Sequence, residues 1–313
     1  MDIPGMIEPL EEASLRKLAS ELILFDGDVL VEFGPFFGKS TAAIVAGLFD
    51  NVGYRKENQF YTYDSFECDV TGRLYPRLHG YAEKCGKLPL IIQQKNGRAN
   101  FYGIFEHFLG PLIENKVIVP VKAELINSYP PDNAIAFMHI DSPKYYEELK
   151  PILFRFLPKM RKGSVIVFQD FFFQWSATLI AACAILIDKK ILQVVGSAAS
   201  SLICKCENTV NDAFLYELDI SITLEQKIVE LIEGIESSLD EAILDRSDIF
   251  MPRLVLAKLQ WLYERGEYAK AVDLLISHIK NKKNISASVV NDFLDLLRNG
   301  FSIRESYVKD RQK

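Results

Sequence analysis

From about residue 10 to about residue 205, apolar β-rich runs alternate with helical patterns, which is how a mostly parallel sheet covered on both faces is written. The β runs fall near 28–33, 59–63, 117–121, 134–140, 163–169 and 191–205. Helical patterns occupy 10–24, 39–49, 98–114, 144–158 and 174–188. The last β run is expected to divide into a hairpin, because Gly196-Ser-Ala-Ala-Ser-Ser201 is rich in turn formers. The expected fold class is therefore α/β, a doubly wound sheet over residues 1–215. Beyond about residue 220 the β signal stops, and Ile228, Leu231, Ile232, Ile235, Leu239, Ile243 and Leu244 recur at helical spacing. Residues 216–313 are expected to form a helical region that serves oligomerisation or docking. Within it, Leu254 to Leu275 reads like one helix-turn-helix unit of a tetratricopeptide repeat, with no second copy in view.

A chain of 313 residues with 49% hydrophobic composition can bury one large core or a core plus a smaller unit. Its net charge of -6 supplies no field for nucleic acid or an anionic membrane surface, so a small-molecule partner is expected. The longest apolar run, Leu179 to Ile187, is too short to span a bilayer, and the start of the chain lacks a secretory pattern. A cytoplasmic location is expected. Cys68, Cys85, Cys183, Cys204 and Cys206 are odd in number and lack C-x-x-C spacing, which fits reduced, core-filling thiols.

The chemistry concentrates at three strand ends. Val29-Leu-Val-Glu32-Phe-Gly34-Pro-Phe-Phe-Gly38-Lys39-Ser40-Thr41 reads as a buried strand, a glycine turn and a helix start. An acidic residue at the strand end followed by two glycines suits a nucleoside ligand lying across the sheet. The same stretch nearly spells a phosphate-binding loop, but G-x-x-x-x-G-K-[ST] needs four residues between its glycines and only three lie between Gly34 and Gly38. A P-loop NTPase is thus the rival reading. Phe60-Tyr-Thr-Tyr63-Asp64 is a second β run ending in an acid, placed to accept hydrogen bonds from ribose hydroxyls.

The third site is Ile135-Ala-Phe-Met-His139-Ile-Asp141-Ser-Pro143-Lys144-Tyr145-Tyr146, followed by a helix, then Leu157-Pro-Lys and Gly163 leading to Phe168-Gln169-Asp170. His139 shares a strand face with Asp141 by the two-residue period. The aromatic run Phe171-Phe172-Phe173-Gln174-Trp175 would rim an acceptor pocket, and Arg73, Tyr145 and Tyr146 are further candidates to grip a polar acceptor.

This order of motifs resembles the class I S-adenosylmethionine-dependent methyltransferases, and within them the group around macrocin O-methyltransferase and related sugar methyltransferases. The likeness covers roughly residues 10–205, and Asp64-Ser65-Phe-Glu67 with Asp141 and Asp170 carries most of it. The resemblance implies that Glu32, Gly34 and Gly38 cradle the methionine part of S-adenosylmethionine, with Ser40 lining the helix start. It implies that Asp64 and Ser65 sit at the ribose, that residues after the third site's strand face the transferred methyl, and that Asp141 and Asp170 can hold magnesium. Lys144, or His139, would act as the base that takes the acceptor's proton beside Asp141. The acceptor would be a hydroxyl of a sugar or glycoside. Two departures bear on this: Asp141-Ser142-Pro143-Lys144 and Gln169-Asp170 stand where the family has more acidic residues, which weakens a site for a hard cation. A non-catalytic relative that binds the cofactor or acts as a scaffold is the remaining alternative.

Overall fold

The computed structural model describes residues 3–143, 146–173, 176–223, 228–239 and 247–280, together with 291 and 294. Lys144, Tyr145, Gln174 and Trp175 lie outside the described residues.

Seven strands form the main sheet: β1 (Val29–Phe33), β2 (Phe60–Asp64), β3 (Ile118–Lys122), β4 (Ile135–Ile140), β5 (Met160–Phe168), β6 (Leu192–Ala198) and β7 (Ser201–Cys206). In these labels the order is β3-β2-β1-β4-β5-β7-β6. β1 pairs in parallel with both β2 and β4, and β4 with β5, whereas β7 runs antiparallel to β5 and β6. The expected hairpin is present, turning at Ala199 and Ser200. The strand order reverses between β1 and β4, so their carboxyl ends form the crevice where open α/β sheets bind ligands.

Helices cover both faces: α1 (Pro9–Glu21), α2 (Lys39–Asp50), α3 (Leu74–Lys84), α4 (Tyr102–Glu114), α5 (Tyr146–Arg155) and α6 (Ala177–Asp188). The two-residue period of β1 sends Val29, Val31 and Phe33 into the core shared with α5 and α6. It sends Leu30 to the opposite core, beneath α1, α2 and α4. Glu32 therefore points into the α1/α2 face, although it is a carboxylate. Three elements differ from expectation. The helix expected over 98–114 begins only at Tyr102, because Arg98–Asn100 is a strand. That strand joins Glu67–Asp69 and Ile92–Gln93 in a small antiparallel sheet, and α3 lies in the same insertion between β2 and β3.

Four further helices follow: α7 (Asp212–Thr223), α8 (Ile228–Ser238), α9 (Ser247–Glu264) and α10 (Tyr268–Lys280). Leu215, Leu218, Ile228, Ile232, Ile235, Leu254 and Trp261 belong to the same continuous core as α5 and α6. The link is also polar: the Tyr146 hydroxyl donates to Asp219 Oδ1 at 2.9 Å, and Lys150 Nζ to Asp219 Oδ2 at 2.7 Å. Tyr146, a candidate to grip the acceptor, is thus turned towards α7. The unit read as one repeat forms a helical hairpin, with α9 and α10 joined at Gly266 and packed through Val255, Leu259, Leu262, Ala271 and Leu275. No helix of the described residues is long and apolar enough to cross a membrane.

Candidate active site

The crevice at the β1 and β4 ends is bordered by Gly34, Pro35, Phe36, Lys39, Ser40 and Asp141, with Gly5, Met6 and Ile7 of the N-terminal segment across it. Gly34 leaves β1 at φ +84°, and a Cβ there would stand 2.6 Å from the Cβ of Ser142, so the chain after β4 crosses directly over this glycine. Gly38 caps α2 at φ +94°, where a Cβ would collide with Leu109 of α4. Both positions require glycine, and the space each one frees is filled by the protein's own side chains.

Phe36, between the glycines, is a non-glycine residue at φ +52°. Packing fixes it there: its ring stacks on Phe37 with centroids 4.1 Å apart and meets Phe101 and Tyr81. A strained backbone at a ligand crevice is where surrounding packing over-determines the geometry. The result is a Phe36 N–H that donates to Asp64, whose Oδ1 also accepts the Phe66 N–H at 2.8 Å. Burial pushes the Asp64 carboxyl up to about 7; the Phe66 and Phe36 amides oppose the rise, and the charges of Asp141 and Glu124 add to it. Asp141, which borders the crevice, is thus near enough for its charge to act on Asp64. Ser65 folds onto its own turn, 3.4 Å from both the Glu67 amide and carbonyl. Glu67 staples the insertion to the end of β2, accepting from Gln94 at 2.6 Å and pairing with Arg98 at 3.3 Å.

Glu32 does not line the crevice. It is fully buried, accepts the Thr41 hydroxyl at 2.5 Å and faces His139 Nδ1 at 3.0 Å. The other ring nitrogen of His139 lies 2.8 Å from Gln169 Oε1. A buried chain, Thr41–Glu32–His139–Gln169, therefore crosses from α2 through β1 and β4 to the end of β5. Burial works against a charged His139, but its hydrogen bond to Glu32, the charges of Glu32 and Asp141 and the bond to Gln169 together raise its pKa above the ordinary value. With an acceptor at each ring nitrogen, the imidazole is enclosed.

Asp170 follows β5 at φ +56°, with the Ser200 hydroxyl 3.4 Å from its Oδ1. The protons of Ser200 and Ser201 go instead to the buried Glu11 of α1, at 2.8 and 2.9 Å. Among the described residues no group of three or more His, Cys, Asp or Glu side chains is arranged to hold a metal ion. The donors that the resemblance gives to magnesium do not form a matching set. Phe171 and Phe172, expected on a pocket rim, are buried in the core, while Phe173 lies under the Arg253 guanidinium of α9 at 4.7 Å.

For a sulfonium cofactor bearing an amino acid and a ribose, the donor chemistry does match. Asp64 offers an acceptor for hydroxyls, Asp141 a carboxylate for positive charge, and Lys39 with the α2 N-terminus a cationic end for a carboxylate. Lys39 also pairs with Glu12 at 3.3 Å. Sequence reasoning did not foresee Gly5, Met6, Ile7, Pro35 and Phe36 at the crevice, and weighed Lys39 only as part of a phosphate loop. Nothing in the N-terminal segment's composition points to such a role.

The sheet is thus Rossmann-like, with an acid at the β2 end, a glycine turn after β1 and an aspartate after β4. Residues 31–171 match the family model described as Methyltransferase domain. No curated protein matches the chain. Among solved structures it is similar to CalS11, a TDP-rhamnose 3'-O-methyltransferase of calicheamicin biosynthesis, at 20% identity over 63% of this chain and 77% of that one, with a TM-score of 0.40. It is similar to the O-methyltransferase NovP at 14% identity over 64% and 79% of the two chains, TM-score 0.44. A further structure is the S-adenosylhomocysteine-bound methyltransferase PaMTH1 of Podospora anserina, at 13% identity over 74% and 71%, TM-score 0.33.

Proposed function

We propose that this domain binds S-adenosylmethionine in the crevice between β1 and β4 and transfers its methyl group to a hydroxyl of a sugar or other small polar metabolite. The observation that supports the reading is the glycine turn after β1, bordered in the crevice by Lys39, Ser40 and Asp141, with Asp64 at the end of the neighbouring strand β2. Asp64 accepts from the ribose hydroxyls, and Ser65 shapes the turn beside it. Gly34, Lys39 and Ser40 receive the amino acid end. Glu32 and Gly38 act one layer deeper, holding the turn in place.

When bound, the cofactor supplies an electrophilic methyl on sulfur; transfer is an in-line displacement in which alignment provides much of the acceleration. Asp141 orients the acceptor hydroxyl and balances the positive charge of the cofactor. Lys144 is the base in this proposal and takes the hydroxyl proton as the methyl moves. His139, enclosed between Glu32 and Gln169, serves by fixing the strand end that carries Asp141. The hydroxyl acceptor follows from the resemblance to the sugar methyltransferases. Calorimetry with S-adenosylhomocysteine, followed by a methyl-transfer assay on a panel of sugars and glycosides, tests both halves. Absence of cofactor binding would end the proposal; binding without turnover on any acceptor would favour a scaffold.

A further inference from the structure

The ends of β4 and β5 carry the oxygens that a divalent cation would use if this chain followed the acidic pattern of the enzymes it resembles: Asp141, Gln169 and Asp170. All three have partners within the protein. Gln169 is only 5% exposed, and its Oε1 is 2.8 Å from His139 Nε2. Asp170, in the left-handed region, has Ser200 Oγ 3.4 Å from its Oδ1, and the buried Glu11 holds the same serine on the other side.

Magnesium requires near-octahedral oxygen ligation at about 2.0–2.1 Å and gives up its water reluctantly. Swinging Gln169 Oε1 towards such an ion would leave His139 Nε2 unpaired in a buried layer, which is unfavourable. The ion would be left with Asp141 and Asp170, each of which already has a partner within the protein.

We propose that the methyltransferase site of this protein operates without a bound divalent cation, because Gln169 Oε1 is committed to His139 and, among the described residues, no third His, Cys, Asp or Glu side chain joins Asp141 and Asp170. The inference rests on the proposed methyl transfer for the identity of the site, whereas cation binding there is a separate measurement. The test uses the full chain saturated with S-adenosylhomocysteine, titrated calorimetrically with magnesium chloride and followed by manganese(II) electron paramagnetic resonance. The expected result is no saturable heat, a free-ion manganese spectrum and one thermal midpoint in EDTA and in magnesium. Saturable binding tighter than about 1 mM, abolished by Asp170→Asn, would overturn it. Binding that survives both Asp141→Asn and Asp170→Asn lies elsewhere and leaves these strand ends cation-free, as proposed. Failure of S-adenosylhomocysteine itself to bind would count against the methyltransferase reading and not against the cation result.

Discussion

The imidazole of His139 and the carboxylate of Glu32 meet at 3.0 Å with neither side chain exposed to solvent. They join β1 to β4 at the level where the crevice begins, and Thr41 and Gln169 extend the connection on either side. A fully desolvated pair of this kind is costly to break because removing one partner strands the other in a dry layer.

His139→Phe should therefore destabilise the protein by about 3–5 kcal/mol. The pH dependence has a definite sign. The folded-state pKa of His139 is raised, so its contribution is complete below the unfolded value of about 6.5 and declines as pH rises through the folded value. Urea unfolding across that range should show stability falling with pH in the parent and a flatter profile in the variant. Equal slopes in the two proteins would remove His139 from this account.

Asp64 carries an opposite lesson about stability and binding. Its carboxyl is held up near 7 in the ligand-free protein, so the folded state favours the protonated form. The stability it provides is complete below the unfolded value of about 3.9 and is lost as pH rises through about 7. Asp64→Asn should raise the thermal midpoint at pH above this range while weakening S-adenosylhomocysteine binding by about 1–3 kcal/mol. Calorimetry and a thermal melt on the same samples check it; an unchanged affinity would take Asp64 out of the cofactor site.

Asp141→Ala and Lys144→Met should leave S-adenosylhomocysteine affinity within about threefold of the parent, under 1 kcal/mol. Turnover on an acceptor found in the sugar panel should fall, by about 100-fold or more for the proposed base. Parent-like rates in Lys144→Met would transfer the proton-accepting role to another group.

Gly34→Ala places a methyl 2.6 Å from the Cβ of Ser142 on a backbone at φ +84°. The expected loss is about 1–3 kcal/mol in unfolding free energy. Cofactor affinity should fall with it, because the added methyl displaces the turn proposed to receive the amino acid end. A variant as stable as the parent would show that the two loops yield more readily than the packing suggests.

The parallel sheet was legible because its strands are buried on both faces and so read as continuous apolar runs, as in Val29–Phe33 and Ile135–Ile140. Glu32, Asp64 and Asp141 stood out as acids terminating such runs. The insertion after β2 did not, since its strands are two or three residues long and give no periodic signal. Asn96-Gly97, with Gly97 at φ +80°, was the available clue, a hairpin turn pair between short strands. The direction of Glu32 was beyond local reasoning for another reason. Which way an acid faces depends on its partner across the sheet, and His139 lies 107 residues away in the chain. The engagement of Gln169 was hidden in the same way, its partner His139 lying 30 residues away.

α6 is apolar around nearly its whole circumference, from Ala177 to Leu186, and α7, α8 and α9 extend the core beyond its outer side. A helix of that kind needs cover on every side. Trimming the chain after β7 to isolate a minimal catalytic fragment would lay bare a greasy ridge, and such a fragment is expected to aggregate on expression rather than yield a smaller working enzyme.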